Sequence, residues 1–307
     1  MTSSLVNRDV FFRDPAQYIL QNDGVSKVDV TSTLEYELET FVCEGEYARG
    51  LDTILTVFES HLDLPTQPSV WVSGFYGSGK SHLVKILQAV WQDSRLPSGR
   101  RPREIVTLTE PIDELLYTLS RNGDRLGGLW SASGMLAEYG ELSIRMLILS
   151  IVHRAAGLSS NYGRAKFRLW LRQRGWEEPL AAMLSDKGLD PDAEFDQYLV
   201  SFDVADGVMA LAQSSAFDTD TMQDRWERQF DRDDISYDDM IADLREVLLL
   251  QSVDGKKVPL TLLVLDEVQQ YIGLSGDRAE AVQKAVELIQ TSFDSRVLVV
   301  ATGQAAL

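Results

Sequence analysis

Residues 74 to 81 read GFYGSGKS and directly follow the apolar stretch PSVWVS. The octet fits G-x-x-x-x-G-K-[ST], a glycine-rich turn between a strand and a helix that cradles phosphate groups. Gly74 and Gly79 can adopt backbone angles that a Cβ would forbid, so successive N–H groups turn inward at the positive end of the following helix. Lys80 would neutralise β- and γ-phosphates, and Ser81 Oγ would bind Mg²⁺. The octet therefore predicts a nucleotide phosphate loop.

The candidate nucleotide-binding residues extend through this loop into the first helical turn. They are Gly74, Phe75, Tyr76, Gly77, Ser78, Gly79, Lys80, Ser81 and His82. Phe75 and Tyr76 occupy unconstrained positions, and two interpretations apply: they pack the loop, or one of them stacks on a base or a partner. His82 is the histidine nearest the predicted phosphates, and the three histidines of the chain match no metal-ligand spacing.

The second half of the predicted site is LTLLVLDE, residues 260 to 267. The apolar run predicts a buried parallel strand, and two carboxylates at its end are costly unless they face a cation or solvent. Ligands in such sheets bind at the carboxyl ends of the strands. Asp266 is predicted to hold Mg²⁺ through its water shell, and Glu267 to polarise the attacking water as a base. A solvated strand end is the alternative interpretation.

A third polar strand end follows in VLVVATGQ, residues 297 to 304. Thr302 or Gln304 would lie where a side chain can reach the γ-phosphate or orient water. Both therefore join Lys80 and Glu267 as candidate catalytic residues. An ordinary turn is the competing interpretation, because Thr and Gln are common at strand ends.

Strand and helix patterns divide the chain into four predicted segments. These are an N-terminal extension with lead-in helices (1–64), the first part of the core (65–109), a mostly helical acidic insertion (110–259) and the second part of the core (260–307). Strands are predicted at 70–73, 104–109, 260–265 and 297–301, with a loop over 122–134. The fold class is therefore α/β: a parallel-sheet P-loop core with an N-terminal helical extension and a large helical insertion.

The net charge of −18 works against broad contact with nucleic-acid backbones, so direct DNA binding is not expected. Between residues 186 and 243 there are 17 Asp and Glu against four Lys and Arg. The stretch RAKFRLWLRQRGW, residues 164 to 176, is instead basic and aromatic. It either binds nucleic acid by charge and stacking, or forms an amphipathic helix that pairs with the acidic segment.

Cysteine content and apolar patterning predict the compartment. The single cysteine excludes an intrachain disulfide, the N-terminus shows no leader pattern, and no apolar run approaches a membrane span. We therefore expect a cytoplasmic protein without a membrane partner.

The motifs GFYGSGKS, LLVLDEVQQYI and VLVVATGQAAL together resemble the additional-strand, catalytic-glutamate branch of P-loop ATPases, close to the AAA+ and STAND-like proteins. More narrowly, the order FVCEGEYARGL, VWVSGFYGSGKSHLVKIL and LDEVQQYI is similar to the BrxC/PglY family, the large P-loop ATPases of BREX and phage growth limitation loci. The resemblance covers the N-terminal 110 residues and the last 50. The helical insertion matches only by position and length.

This resemblance implies ATP and Mg²⁺ as ligands and phosphoanhydride hydrolysis coupled to conformational change or assembly. It also implies defence partners, namely a methyltransferase and a phosphatase-like protein, and a homo-oligomer in the full-length form. Because the family members are several times longer, we expect these residues to be an N-terminal part, weakly active alone, with a fifth strand and a lid beyond Leu307.

Two other functions remain open from the sequence. The first is a nucleotide-gated scaffold that binds ATP, changes its affinity for a partner and turns over rarely. The second is an Orc/Cdc6-like or STAND-like regulatory ATPase unrelated to phage defence.

Overall fold

The computed structural model describes residues 31–75, 77–139, 142–212 and 219–304. Apart from the gaps between these ranges, the residues form two compact units. The sheet unit comprises residues 31–136, 260–271 and 294–304, and the helical unit comprises residues 137–259 and 272–293. The chain therefore leaves the sheet unit twice and returns to it twice.

Helices make up most of the described residues. In chain order they are α1 (Thr31–Thr40), α2 (Gly45–His61), α3 (Lys80–Gln92), α4 (Pro102–Ile105), α5 (Glu110–Arg125), α6 (Ile144–Ala155), α7 (Tyr162–Arg174), α8 (Glu177–Asp186), α9 (Pro191–Asp196), α10 (Phe202–Leu211), α11 (Thr219–Phe230), α12 (Tyr237–Leu250), α13 (Val268–Ile272) and α14 (Gly276–Ser292). A 3₁₀ turn occupies Leu136–Tyr139. None of the helices in the described ranges combines the length and the apolar character that crossing a membrane requires.

The sheet unit is built on one sheet of four parallel strands. They are β1 (Val70–Ser73), β2 (Leu129–Met135), β3 (Leu260–Asp266) and β4 (Val297–Gly303), in the spatial order β1-β4-β3-β2. β4 lies between β1 and β3, since Val300 is paired with Val70 on one side and with Val264 on the other. The predicted α/β class with a parallel sheet is confirmed.

Three strands lie where their apolar runs predict them, because such runs suit a sheet that is covered on both faces. β3 and β4 are buried along their whole length. Helix α3 packs on this sheet, and the indole Nε1 of Trp91 donates to Leu260 O at 3.1 Å. The ring of Phe58, in α2, lies 4.7 Å from that indole, centroid to centroid. The two helices and the sheet thus share one apolar core.

The fourth strand is not where the sequence predicts it. The prediction at residues 104–109 is wrong, because a helical turn with proline at its start, α4, occupies the beginning of that range and no strand follows. Arg103 anchors this turn: its Nε donates to Val90 O at 2.6 Å and its Nη1 to Leu116 O at 2.9 Å. The strand is instead β2, with the sequence LWSASGM, and all of it except Met135 lies in the range predicted to be a loop.

The helical unit has an aromatic core of its own. Phe167, in α7, lies at its centre, with ring centroids 4.4 Å from Tyr198, 4.9 Å from Trp226 and 6.0 Å from Phe230. All four side chains are buried. The aromatic residues of the stretch 164–176 therefore pack inward or against this core, which is where an amphipathic helix buries its apolar face.

Four of the five basic residues of α7 pair with carboxylates of the same unit, and three of those carboxylates lie in the acidic segment 186–243, so the predicted pairing is confirmed for part of the stretch. The pairs are Arg164 with Asp196, Lys166 with Asp243 and Glu246, Arg168 with Glu177 and Asp192, and Arg172 with Glu177.

Four of the helical unit's polar residues, Tyr162, Lys166, Asp243 and Glu246, form what we call the buried network. Lys166 Nζ donates to Asp243 Oδ1 at 2.9 Å and to Glu246 Oε2 at 2.6 Å, and Tyr162 Oη donates to Asp243 Oδ2 at 2.8 Å. Burial alone would lower the pKa of Lys166, but its hydrogen bonds to the two carboxylates raise the pKa above the ordinary lysine value. The buried Asp243 and the half-buried Glu246 therefore both have a cation beside them.

His153 lies in α6 of the same unit and is fully buried. Neither ring nitrogen has a hydrogen-bond partner among the described residues. Burial lowers the pKa of His153 to about 3, and the charge of Lys166 acts in the same direction. The imidazole is therefore neutral at physiological pH.

Candidate functional site

The glycine loop connects β1 to α3, in the context that the octet requires. Gly77 and Gly79 have φ of 74° and 80°, in the left-handed region that favours glycine. A Cβ on Gly74 would lie 2.7 Å from Ser78 Oγ. Glycine is thus favoured at Gly77 and Gly79 by the backbone angle, and a Cβ on Gly74 would displace the Ser78 hydroxyl.

Lys80 folds back over the loop. Its Nζ donates to Gly74 O and to Phe75 O, both at 2.9 Å. Because the ammonium group is held by two carbonyl oxygens of the loop itself, its positive charge lies next to the backbone that would receive an anion.

Tyr47, at the start of α2, contacts the glycine loop. This contact was not predicted from the sequence. Its hydroxyl donates to Ser78 O at 3.2 Å, and a Cβ on Gly79 would lie 1.9 Å from that hydroxyl oxygen. The ring also packs edge-on against Phe41, with centroids 5.6 Å apart. The segment FVCEGEYARGL carries the family resemblance, but nothing in its spacing indicates a contact with the loop.

The other predicted binding residues occupy different surroundings. Phe75 is 88% exposed, and Tyr76 lies outside the described residues. Ser81 is half-buried in the first turn of α3. The ring of His82 lies 5.7 Å from the ring of Phe41, and burial lowers the pKa of this histidine. His82 therefore packs beside an aromatic residue of the sheet unit.

Asp266 ends β3 and is fully buried. Its Oδ1 accepts hydrogen bonds from the hydroxyl of Thr302 and from the backbone N–H of Glu267. Its Oδ2 is buried and has no hydrogen-bond partner among the described residues. A buried carboxylate oxygen without a partner is costly. The Oδ2 atom is therefore suited to bind a cation or to accept a hydrogen bond from a bound water.

Glu267 is half-buried and has an unusual backbone. Its φ is +56°, in the left-handed region that a residue with a Cβ rarely adopts. Its N–H lies 3.1 Å from Asp266 Oδ1 and 3.1 Å from Thr302 Oγ1. The peptide between the two acidic residues is therefore fixed by side chains of β3 and β4.

Thr302 lies in the last part of β4 and Gln304 directly follows the strand, but their partners differ from those expected. Thr302 is 1% exposed and its hydroxyl bonds only within the protein, to Asp266 and to the Glu267 N–H. Gln304 has an exposed side chain, and its backbone N–H donates to Gln269 Oε1 at 3.0 Å. Both predicted residues thus lie at the sheet edge, with the Thr302 hydroxyl occupied.

The sheet register brings the three predicted segments to the same edge of the sheet, the one formed by the carboxyl ends of the strands. Ser73, directly before the glycine loop, is paired with Gly303, and Leu265 is paired with Ala301. Parallel strands present their carboxyl ends together, so the loop, Asp266 and Thr302 share that edge. We call this group the strand-end site. The sequence could predict this arrangement because each segment follows its own apolar strand.

The described residues contain no group of three or more His, Cys, Asp and Glu side chains that could hold a metal. Magnesium sites beside nucleotides need less, because one or two carboxylates and the phosphates supply the protein and substrate ligands and water completes the shell. The partnerless Oδ2 of Asp266 fits such a site chemically.

No protein-family model matches the chain, and no solved structure matches it. The likeness to phage-defence ATPases therefore depends on the motifs alone.

Proposed function

We propose that this chain is a P-loop ATPase module that binds ATP with Mg²⁺ and hydrolyses the β–γ phosphoanhydride bond. The observation that carries the proposal is the strand-end site: a glycine loop, the buried Asp266 with the half-buried Glu267, and a polar strand end, all at the carboxyl ends of parallel strands. Ligands of open parallel sheets bind at this edge.

The glycine loop and Lys80 would bind the phosphates. Backbone N–H groups of the loop and the start of α3 favour an anion, and Lys80 would exchange one or both carbonyl contacts for phosphate oxygens. Ser81 and Asp266 would hold Mg²⁺, the serine through its hydroxyl and the aspartate through Oδ2. A bound Mg²⁺ ion would neutralise charge that develops on the β- and γ-phosphates.

Glu267 would orient and polarise the attacking water, since it directly follows the Mg²⁺-binding aspartate at the strand end. Gln304 is an exposed candidate for the same water or the γ-phosphate. Thr302 is less suited to direct contact, because its hydroxyl donor is bonded to Asp266. Catalysis by such a site consists mainly of positioning and charge neutralisation.

The strand order supports the AAA+-like form of this core. One strand, β4, separates the glycine-loop strand β1 from the carboxylate strand β3. This additional strand is the feature that the resemblance to the catalytic-glutamate branch implies. The narrower proposal, a cytoplasmic ATPase of a BREX or phage growth limitation assembly, rests on the motif order alone, as do its homo-oligomeric state and its methyltransferase and phosphatase-like partners.

The test compares Lys80→Ala and Glu267→Gln with the wild-type chain in MgATP binding and phosphate release. Lys80→Ala is expected to lose ATP binding, because the neutralising charge is gone. Glu267→Gln is expected to bind ATP with near wild-type affinity and to hydrolyse it at a rate reduced at least about a hundredfold. Lys256→Ala, at an exposed lysine in a loop of the helical unit, is the control and should leave both measurements unchanged.

Two outcomes would contradict the proposal. If the wild-type chain does not bind MgATP, the phosphate-loop assignment fails. If wild type and Glu267→Gln, both as the full-length protein, bind MgATP equally and neither releases phosphate, the protein is a nucleotide-gated scaffold. A gene neighbourhood without a methyltransferase and a phosphatase-like gene would remove the phage-defence assignment alone.

A further inference from the structure

We propose that Thr302 is a positioning residue that sets both the rotation of the Asp266 carboxylate and the backbone conformation of Glu267. The inference rests on the proposed ATPase function and assigns Thr302 a role different from contact with the γ-phosphate. It follows from three hydrogen bonds and one backbone angle at the ends of β3 and β4.

The hydroxyl of Thr302 both donates and accepts a hydrogen bond. A threonine hydroxyl has one hydrogen to donate, and here it goes to Asp266 Oδ1. The oxygen also accepts from the backbone N–H of Glu267 at 3.1 Å. Since Thr302 is 1% exposed, this hydroxyl cannot donate to a phosphate without breaking its bond to Asp266.

These bonds decide which oxygen of Asp266 is left for a ligand. Oδ1 receives the Thr302 hydroxyl and the Glu267 N–H, whereas Oδ2 receives no hydrogen bond from the described residues. The carboxylate is therefore held with one oxygen turned toward the protein. Oδ2 is the oxygen that remains to bind a cation or its water shell.

The same bonds support the left-handed conformation of Glu267. Four non-glycine residues in the described ranges have positive φ, and three of them are Asp or Ser at a helix end or in the turn before β4. Glutamate is less suited to this region than aspartate, and at +56° it needs support from its surroundings. Two acceptors on its N–H supply that support, and one of them is Thr302 Oγ1.

The conformation matters for the proposed chemistry because it sets where the side chain of Glu267 begins. A left-handed residue directly after a strand turns the chain sharply, so α13 starts at once with Val268. If Thr302 loses its hydroxyl, both Asp266 Oδ1 and the Glu267 N–H lose a partner. Misplacement of a catalytic group by about 1 Å can reduce a rate about a hundredfold.

The test compares Thr302→Val, which removes the hydroxyl at nearly constant shape, with Thr302→Ser, which keeps it. Thr261→Val is the matched control, because Thr261 is buried in β3 at the opposite end of the strand. Three quantities are measured in the full chain: hydrogen exchange of the Glu267 amide by NMR, ATP affinity with and without Mg²⁺, and the rate of phosphate release.

Thr302→Val should speed exchange of the Glu267 amide about tenfold, because the N–H loses one acceptor. It should lower kcat at least about tenfold and weaken MgATP binding, while the affinity for ATP without Mg²⁺ stays unchanged, since the glycine loop is intact. Thr302→Ser and Thr261→Val should both remain within about threefold of wild type in every measurement.

An unchanged Glu267 amide exchange in Thr302→Val would overturn the inference, whatever the nucleotide data. So would a wild-type kcat in Thr302→Val, or an equal loss in Thr302→Ser. If the wild-type chain does not hydrolyse ATP, the proposed function fails, and the amide exchange alone then decides whether Thr302 holds the Glu267 peptide.

Discussion

The strand-end site and the buried network differ in whether a cation lies beside their carboxylates. In the network, Lys166 lies between Asp243 and Glu246, so each negative charge has a cation within 2.9 Å. At the strand-end site, Asp266 is fully buried and its Oδ2 has no partner among the described residues. Burial of charge without a partner costs free energy.

The difference separates a structural role from a ligand-binding role. Groups that satisfy one another hold a fold together, whereas a costly unsatisfied group is retained where function requires it. Lys166→Met and Asp266→Asn test this distinction directly, whereas His153→Leu and Gly79→Ala test the surroundings of the buried network and of the strand-end site. All four are measured through the free energy of unfolding in urea, and they follow from the largest expected effect to the smallest.

Lys166→Met should lower the free energy of unfolding by about 3 kcal/mol, because it leaves the buried Asp243 and the half-buried Glu246 without a cation. Lys187→Met is the matched control: Lys187 pairs with Asp203, but the two side chains are 49% and 42% exposed. Solvent screens that pair, so its loss should be far smaller. Equal losses in the two variants would break the comparison.

His153→Leu should remove a pH dependence. The folded-state pKa of about 3 lies below the ordinary value of 6.5, so on acidification the unfolded chain binds a proton first. The stability that neutral His153 provides is complete above pH 6.5 and is lost as the pH falls toward about 3. Between pH 7.5 and 5, wild type should lose about 2 kcal/mol more than His153→Leu. Parallel pH profiles would show that His153 is hydrated or paired in solution.

Gly79→Ala should destabilise the glycine loop more than Gly77→Ala does. Both glycines have positive φ, which costs an alanine about 1 kcal/mol, but only at Gly79 would the new Cβ meet the Tyr47 hydroxyl. The difference between the two variants should be about 1 kcal/mol. Adding Tyr47→Phe to Gly79→Ala should recover part of it. Without that recovery, Tyr47 does not constrain the loop.

Asp266→Asn should have the smallest effect on stability and the opposite sign. Replacing a buried carboxylate that lacks a cation with a neutral amide should raise the free energy of unfolding by about 1 kcal/mol, while Mg²⁺-dependent hydrolysis is lost. Such a gain of stability with a loss of activity would sharpen the comparison. A loss as large as that of Lys166→Met would show that Asp266 has a structural partner.

The sequence predicts the parts of this molecule that local patterns encode. β3 and β4 are continuous apolar runs, and the glycine loop has its required strand and helix, so their positions could be derived. β2 could not, because the sequence WSASG at its centre has one large apolar residue followed by four small ones and contains no apolar run. The false strand at residues 104–109 is rich in β-branched residues, but Arg103 pins a helical turn there.

The finer features of the site depend on contacts between distant residues. The bond from the Glu267 N–H to Thr302 spans 35 positions of the chain, and that from Tyr47 to Ser78 spans 31. Composition and spacing predict that Asp266, Glu267 and Thr302 share an edge, but not which atoms bond. The left-handed angle of Glu267 likewise has no signal in the sequence, because glutamate rarely adopts it.

The strand order also has a consequence for the order of events in folding. β1 and β2 are the two outer strands of the described sheet, and each pairs only with a strand that follows residue 259. During synthesis both strands would therefore remain unpaired while the ribosome adds more than a hundred further residues. Pairing over such separations is slow and leaves apolar strands open to aggregation. We expect a chain interrupted before Leu260 to retain helices but to lack this sheet.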